Sequence, residues 1–207
     1  NLSEILLMLL ATVLFLPLPL LPVQILWINL VTDGLPALAL AVDPKAPDLM
    51  RRPPRDPHER FLDHRRLLRM SLQALLLALT SLGGFVYCLS ENPQDLNSAR
   101  TLAFTVLVVT QLLHAFTCRS ETLSFLQLGV FSNKSLLLAS GGSLALQVIL
   151  LFNPWALALF DAQPLTFHQW GLALGLGILP FLILEGCKFR AGLRPVQGQS
   201  KANPKLV

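Results

Sequence analysis

Five long apolar runs constrain this chain more than any other feature of its sequence. They occupy residues 23–42, 67–89, 101–116, 135–152 and 167–186. About 20 consecutive apolar residues in an α-helix cross the hydrocarbon core of a bilayer, and only helices and closed barrels satisfy the backbone there. With 53% hydrophobic and 14% charged residues among 207, the composition excludes an ordinary soluble domain. The sequence therefore predicts an all-α, polytopic transmembrane helical bundle.

A sixth apolar stretch, residues 1–16, opens the chain and is too short to complete a crossing. At 1.5 Å per residue it reaches about 24 Å, whereas the hydrocarbon core is roughly 30 Å thick. We therefore expect about six helices, the first of them truncated, in a chain that is a fragment of a longer protein. Pro17, Pro19 and Pro22 predict a tight turn before the next run.

The positive charges collect in segments that alternate with the apolar runs. Of the 16 Lys and Arg residues, eight lie between residues 43 and 70 and five lie from residue 188 to the end. The positive-inside rule predicts that the 43–66 loop and the 190–207 tail are cytoplasmic. The loop mixes both signs of charge beside membrane spans, which argues against nucleic-acid binding.

The cysteine and histidine residues give no metal signature in the sequence. The three cysteines lie in or beside apolar runs, without the paired spacing of a disulfide framework or a zinc site. His114 stands alone in the 101–116 run, where we expect a hydrogen-bonded helix residue rather than a ligand.

The run at 23–42 contains polar side chains that packing alone does not explain. Asn29, Thr32 and Asp33 fall at positions i, i+3 and i+4, on one helical face. A carboxylate at the middle of a membrane helix costs about 2.5–3.5 kcal/mol, so it needs a partner or a function. Gly34 and Pro36 follow, and a proline clashes with the carbonyl four residues earlier. The pattern predicts a helix unwound at Asp33-Gly34 that forms a cation site.

A second intramembrane acid, Glu4, is expected at a similar depth. Counted from the proline turn, Glu4 and Asp33 lie about 20 and 16 Å into the bilayer. Asn1 shares a helical face with Glu4, and Gln111 adds an amide from the 101–116 run. Carboxylate, amide and hydroxyl oxygens suit hard cations, and flexible, high-coordinate Ca²⁺ fits them better than octahedral Mg²⁺.

The segment Pro22–Ala37 reads PVQILWINLVTDGLPA. It resembles the sixth transmembrane helix of type II P-type ATPases, the calcium pumps in particular. The resemblance implies that the chain runs from the second half of helix five through helix ten. It assigns 1–16 to part of helix five, 23–42 to helix six, 43–66 to a cytoplasmic loop, 67–89 to helix seven, 101–116 to helix eight, 135–152 to helix nine, 167–186 to helix ten and 190–207 to a cytoplasmic tail.

The resemblance also implies ion-coordinating roles for six side chains: Asn29, Thr32 and Asp33 on helix six, Asn1 and Glu4 on helix five, and Gln111 on helix eight. At position 111 the two-ion pumps carry a glutamate and other calcium pumps carry a glutamine. The glutamine removes one negative charge from a second ion site.

No catalytic residue is expected in this chain, because it has neither a Walker A loop nor an Asp-Lys-Thr-Gly-Thr sequence. By resemblance, the aspartyl-phosphate chemistry belongs to upstream cytoplasmic domains, which bind Mg²⁺ and ATP outside this segment. The implied partners are those phosphorylation, nucleotide-binding and actuator domains, helices one to four of the same chain, and the lipid bilayer. Leu- and Ala-rich helices and short outer loops favour a bacterial plasma membrane.

The residues leave three alternatives to a calcium pump open. Oxygen ligand sets overlap in selectivity, so a pump for Mn²⁺, Na⁺ or H⁺ fits the same side chains. Broken membrane helices also occur in secondary cation transporters and channels. A third interpretation is a membrane anchor in which the polar cluster only binds helices to one another.

Overall fold

The computed structural model describes residues 1–44, 63–120 and 123–192, and all regular structure in these ranges is helical. Its elements are α1 (Leu2–Val13), α2 (Pro22–Trp27), a π-helical segment (Ile28–Asp33), α3 (Gly34–Ala41), α4 (His64–Glu91), α5 (Leu96–Thr117), α6 (Phe125–Leu128), α7 (Lys134–Phe152), α8 (Pro154–Leu159) and α9 (Phe167–Gly192). Most of the predicted cytoplasmic loop and of the predicted tail lies outside the described residues.

Five of these helices are long and apolar enough to cross a membrane, when α2, the π-helical segment and α3 are counted as one. The shorter α1 is apolar as well. Large apolar side chains point outward from the bundle, such as Leu30 and Leu38, each 70% exposed. Exposed apolar surface of this kind suits lipid and is rare on soluble monomers. The predicted all-α, multi-pass membrane bundle is confirmed for the described residues.

Helix α5 lies at the centre and packs against α4, α7, α9 and the π-helical segment. In its most apolar 18-residue window 78% is buried, against 17% for α9. The consecutive residues Leu102, Ala103 and Phe104 are fully buried, and successive residues of an α-helix point in directions about 100° apart. A helix that is apolar all round belongs in a core. Polar side chains on α5 are therefore held inside the bundle.

Helices α4 and α5 begin before their apolar runs do, because capping side chains set their first residue. Helix α4 begins at His64, whose backbone N–H donates to the Asp63 carboxylate at 2.7 Å. Helix α5 begins at Leu96, and the Asp95 carboxylate accepts from the Ser98 N–H at 3.1 Å. An apolar run marks the membrane part of a helix, whereas the cap marks its start.

The helix through Asp33 is not unwound, so that part of the prediction is wrong. Residues Ile28–Asp33 form a π-helical segment, and Gly34 keeps helical angles of φ −62° and ψ −53°. Helix α3 restarts at Gly34, which puts Pro36 in its first turn. Proline has no N–H, so Pro36 donates no hydrogen bond to the carbonyls of the π-helical segment that precedes it. A change of register thus accommodates the proline without a break.

Helix α9 packs tightly against α5 at Gly177. An ideal Cβ on Gly177 would lie 2.4 Å from Val109 Cγ1 and 2.7 Å from Val109 Cβ. A valine has one strongly preferred rotamer in a helix, so it cannot turn away. The two helices can pack at this distance because residue 177 has no side chain.

We expect Gly177→Ala to destabilise the fold by about 1–3 kcal/mol through overpacking. Adding Val109→Ala should restore most of the loss. Gly171→Ala and Gly175→Ala are matched controls, because a Cβ at either position meets nothing within 4 Å. The measurement is the apparent unfolding midpoint of the purified full-length protein in detergent. A Gly177→Ala midpoint equal to that of Gly175→Ala would contradict the prediction.

Candidate cation-binding site

The π-helical segment fixes the side chains of Asn29 and Thr32. Asn29 Nδ2 donates to the Ile25 carbonyl at 2.9 Å, and Thr32 Oγ1 donates to the Ile28 carbonyl at 2.6 Å. Each bond reaches back four residues along the same helix. π-Helical turns are rare and occur frequently at functional sites. Here the wide turn carries two oxygen-bearing side chains whose orientations are fixed by these hydrogen bonds.

Glu4 is buried and is bound by amides from two other helices. Its side chain is 4% exposed. Glu4 Oε1 accepts from Gln111 Nε2 at 3.0 Å, and Glu4 Oε2 accepts from Asn29 Nδ2 at 3.1 Å. Asn1 Nδ2 donates to Asn29 Oδ1. Four of the six predicted site residues therefore form one hydrogen-bonded chain across α1, the π-helical segment and α5.

Asp33 and Thr32 lie at a cavity of about 510 Å³ that Asn1 and Gln111 also line. The Asp33 side chain is 31% exposed, and its Oδ2 lies 3.8 Å from the backbone nitrogen of Asn1. Glu4 is not among the lining residues and reaches the cavity through its hydrogen bond to Gln111. The structure thus brings all six predicted residues to one region, with the two carboxylates in different settings.

Gln111 contributes an unsatisfied oxygen to this region. Its Oε1 is buried and accepts no hydrogen bond from any described residue. A buried polar atom without a partner is costly, and each such atom needs an explanation. Gln111 Nε2 also lies 3.4 Å from Ser3 Oγ, a residue that the sequence reasoning missed. Ser3 precedes Glu4 in an apolar helix, and that adjacency was its signal.

The candidate ligands are oxygens. Within the described ranges, no three His, Cys, Asp or Glu side chains group as a metal site. A cation in this region would rely on the carboxylates of Glu4 and Asp33 together with amide and hydroxyl oxygens. That donor set suits hard cations.

Helix α7 contacts the π-helical segment and α2 through two hydrogen bonds. Ser143 Oγ donates to the Val31 carbonyl at 2.6 Å, and Trp27 Nε1 donates to Gln147 Oε1 at 2.9 Å. Ser143 and Gln147 are four residues apart and share one face of α7. The sequence reasoning missed both, and their signal was two polar residues at i, i+4 in an apolar run.

The end of α3 is anchored by a second polar group. Arg119 Nε lies 3.1 and 3.3 Å from the two carboxylate oxygens of Asp43. Asn133 Nδ2 donates to Asp43 Oδ1 at 2.7 Å and to the Ala39 carbonyl at 3.2 Å. These bonds tie the helix that carries Asn29, Thr32 and Asp33 to the loop between α5 and α7.

Comparison with known proteins identifies the family. Residues 17–190 match the family model described as "Cation transporting ATPase, C-terminus". The chain is 39% identical over 186 residues to a Bacillus subtilis protein named calcium-transporting ATPase, covering 90% of this chain and 21% of that protein. It is 33% identical over 192 residues to mouse calcium-transporting ATPase type 2C member 2, covering 91% and 20%. A probable cation-transporting ATPase F of Mycobacterium tuberculosis is 36% identical over 170 residues.

This chain spans about a fifth of the length of the curated relatives that it matches. The family match covers well over half of the chain, and the relatives align over most of it. The resemblance seen in Pro22–Ala37 is therefore confirmed. The chain belongs to the cation-transporting P-type ATPases and corresponds to their C-terminal membrane region.

Proposed function

We propose that this chain is the ion-binding and translocation region of an ATP-driven pump that exports Ca²⁺ from the cytoplasm. The observation that carries the proposal is the buried Glu4 carboxylate, which amides of Asn29 and Gln111 hold beside a cavity faced by Asp33. The calcium-transporting names of the Bacillus subtilis and mouse relatives support Ca²⁺ as the ion.

The six side chains can change from hydrogen bonding to coordination with small movements. The Asn29 and Gln111 amides donate N–H groups to Glu4. Rotation of an amide by about 180° exchanges its donor for its acceptor. An entering Ca²⁺ is then met by the carboxylates of Glu4 and Asp33 and by the turned amide oxygens. Two carboxylates balance its double charge, and six side chains approach the 6–8 oxygens that Ca²⁺ takes.

The π-helical turn offers a way to couple affinity to helix movement. Asn29, Thr32 and Asp33 all belong to it. A change in its register therefore moves three ligands together. The phosphorylation, nucleotide-binding and actuator domains that drive such a change, with their Mg²⁺ and ATP, are proposed to lie upstream in the parent chain. A bacterial plasma membrane is the proposed location.

The test is phosphoenzyme formation from labelled ATP by the full-length parent, titrated in turn with Ca²⁺, Mn²⁺ and Na⁺. We expect Ca²⁺ to switch phosphorylation on. Glu4→Gln should raise the half-maximal Ca²⁺ concentration about tenfold or more, because ligand charge sets affinity in such sites. Glu91→Gln is the matched control, since Glu91 accepts from the Tyr87 hydroxyl at the far end of α4.

The outcomes separate the alternatives. A lower half-maximal concentration for Mn²⁺ or Na⁺ would keep the pump and reassign its ion. The absence of an acid-stable phosphoenzyme with any cation would contradict the ATP-driven mechanism and leave a secondary transporter or channel. A Glu4→Gln variant with unchanged affinity would remove α1 from the ligand set.

A further inference from the structure

Two side chains near the end of α5 form a pair that the proposed transport does not use. His114 and Cys118 are four residues apart, and His114 Nε2 lies 3.5 Å from Cys118 Sγ. Both line the same cavity as Asp33 and Gln111. Cys118 is exposed. Along α5, the distance from Gln111 to Cys118 is about 10 Å, so the pair lies between the hard-cation region and the helix end.

Thr117 fixes the tautomer of the imidazole. Thr117 Oγ1 lies 2.6 Å from the His114 carbonyl oxygen and 2.9 Å from His114 Nδ1. A hydroxyl has one proton, which goes to the carbonyl because a carbonyl can only accept. The hydroxyl oxygen therefore accepts Nδ1–H, and Nε2 presents its lone pair to the Cys118 thiol. Metal-binding histidines are held by their second nitrogen in the same manner.

The separation of the two atoms also fits a shared metal. Zn–N and Zn–S bonds of about 2.0–2.1 and 2.3 Å at a tetrahedral angle place nitrogen and sulfur about 3.5–3.6 Å apart. The 3.5 Å between Nε2 and Sγ matches this separation, and a turn of the imidazole that directs Nε2 beside the sulfur rather than at it places both atoms around one metal ion. Met70 and Gln73 of α4 line the cavity as well, and water can complete the coordination.

We propose that His114 and Cys118 bind a thiophilic divalent cation, Zn²⁺ or its analogue Cd²⁺, at the cavity. Zn²⁺ displaces the thiol proton, which passes to solvent, and forms one bond to the thiolate sulfur and one to Nε2. Structural and catalytic zinc sites have four or three protein ligands, whereas this site has two. The metal is therefore bound more weakly and reversibly. The charge pattern puts this end of α5 on the cytoplasmic side, so a bound metal occupies the route from the cytoplasm to Asp33.

Binding is tested by protection of the thiol in the full-length protein. N-Ethylmaleimide modification of Cys118 is followed by peptide mass spectrometry at increasing Zn²⁺. Cys187 is the internal control, because it is exposed and has no histidine within four residues. At a Zn²⁺ concentration ten times the Kd, the Cys118 rate should fall about tenfold. The Cys187 rate should stay constant, and a chelator should reverse the protection.

His114→Gln supplies the second arm, because it keeps a polar side chain and removes the Nε2 ligand. In this variant we expect protection of Cys118 only at much higher Zn²⁺, while His168→Gln retains full protection. Equal protection of Cys118 and Cys187, or protection unchanged in His114→Gln, overturns the site. A Cys118 that does not react without Zn²⁺ is covered in the whole protein and overturns it as well. The effect on transport rests on the proposed function, whereas the alkylation rates do not.

Discussion

If the proposed function is right, replacing Asp33 with asparagine in the full-length protein is expected to abolish Ca²⁺-dependent phosphorylation, or to raise the required Ca²⁺ about 100-fold or more. The Asp33 side chain lines the cavity and, at 31% exposed, is the more accessible of the two site carboxylates. In the proposed mechanism it is therefore the first of the two site carboxylates that an entering cation meets. The measurement is the labelled phosphoenzyme, titrated with Ca²⁺ beside the wild type.

The same substitution should leave the fold as stable as before or more stable. A carboxylate within a membrane helix costs about 2.5–3.5 kcal/mol on insertion scales, and asparagine removes that charge. Ion affinity and stability are thus expected to move in opposite directions, which a purely structural role for Asp33 does not produce.

Asp161→Asn is the matched control for this prediction. Asp161 lies beyond α8, and its carboxylate accepts from Asn97 Nδ2 at 3.0 Å, away from the cavity. It should leave the Ca²⁺ titration unchanged. The opposite result would be an Asp33→Asn variant that keeps wild-type Ca²⁺ dependence and has a lower unfolding midpoint. It would mean that the polar cluster serves packing between helices, as in the membrane-anchor interpretation.

The polar spacing in the sequence could predict which side chains meet inside the bundle, because intramembrane charge is so costly. Asn29, Thr32 and Asp33 share a helical face at i, i+3 and i+4, and Glu4 stands out as an acid in an apolar run. Gly34 and Pro36 signalled an irregular helix, and the structure has one. They could not predict its form, because a proline is compatible with both a break and a change of register.

The contacts that hold the site could not be predicted, because they join residues far apart in the chain. Ser143 reaches the Val31 carbonyl 112 residues away, and Arg119 reaches Asp43 76 residues away. Each residue alone has an ordinary local explanation, such as a serine in a membrane helix or a basic residue at a helix end. These residues support the site only because the fold places them beside the helix that carries Asn29, Thr32 and Asp33.

The second large effect is expected at the Arg119–Asp43 pair. The Arg119 side chain is 3% exposed and the Asp43 side chain 20%. Removing one partner of a buried pair leaves the other charge uncompensated, at a cost of about 3–5 kcal/mol. For Arg119→Ala we expect about 3 kcal/mol, at the low end of that range because Asp43 keeps Asn133 and some water. The apparent unfolding midpoint should fall by several degrees.

Loss of this pair should also weaken the proposed Ca²⁺ binding, although neither Arg119 nor Asp43 is one of the proposed ligands. Asp43 follows the end of α3, whose helix continues from the π-helical segment. Releasing that end lets the turn that presents Thr32 and Asp33 shift, so a severalfold rise in half-maximal Ca²⁺ is expected. Arg119→Lys should give an intermediate result, since lysine keeps the charge and loses the forked contacts to Asp43 and Ser132.

A double-mutant cycle decides whether the pair or the arginine alone matters. If the pair carries the effect, Arg119→Met combined with Asp43→Leu costs clearly less than the two single changes added together, because neither charge is left unpaired. Arg100→Ala is the matched control, as Arg100 donates to the Leu18 carbonyl at the opposite end of α5. Additive costs in the cycle would mean that Arg119 acts through its contacts with Ser132 and the Gly129 carbonyl rather than through Asp43.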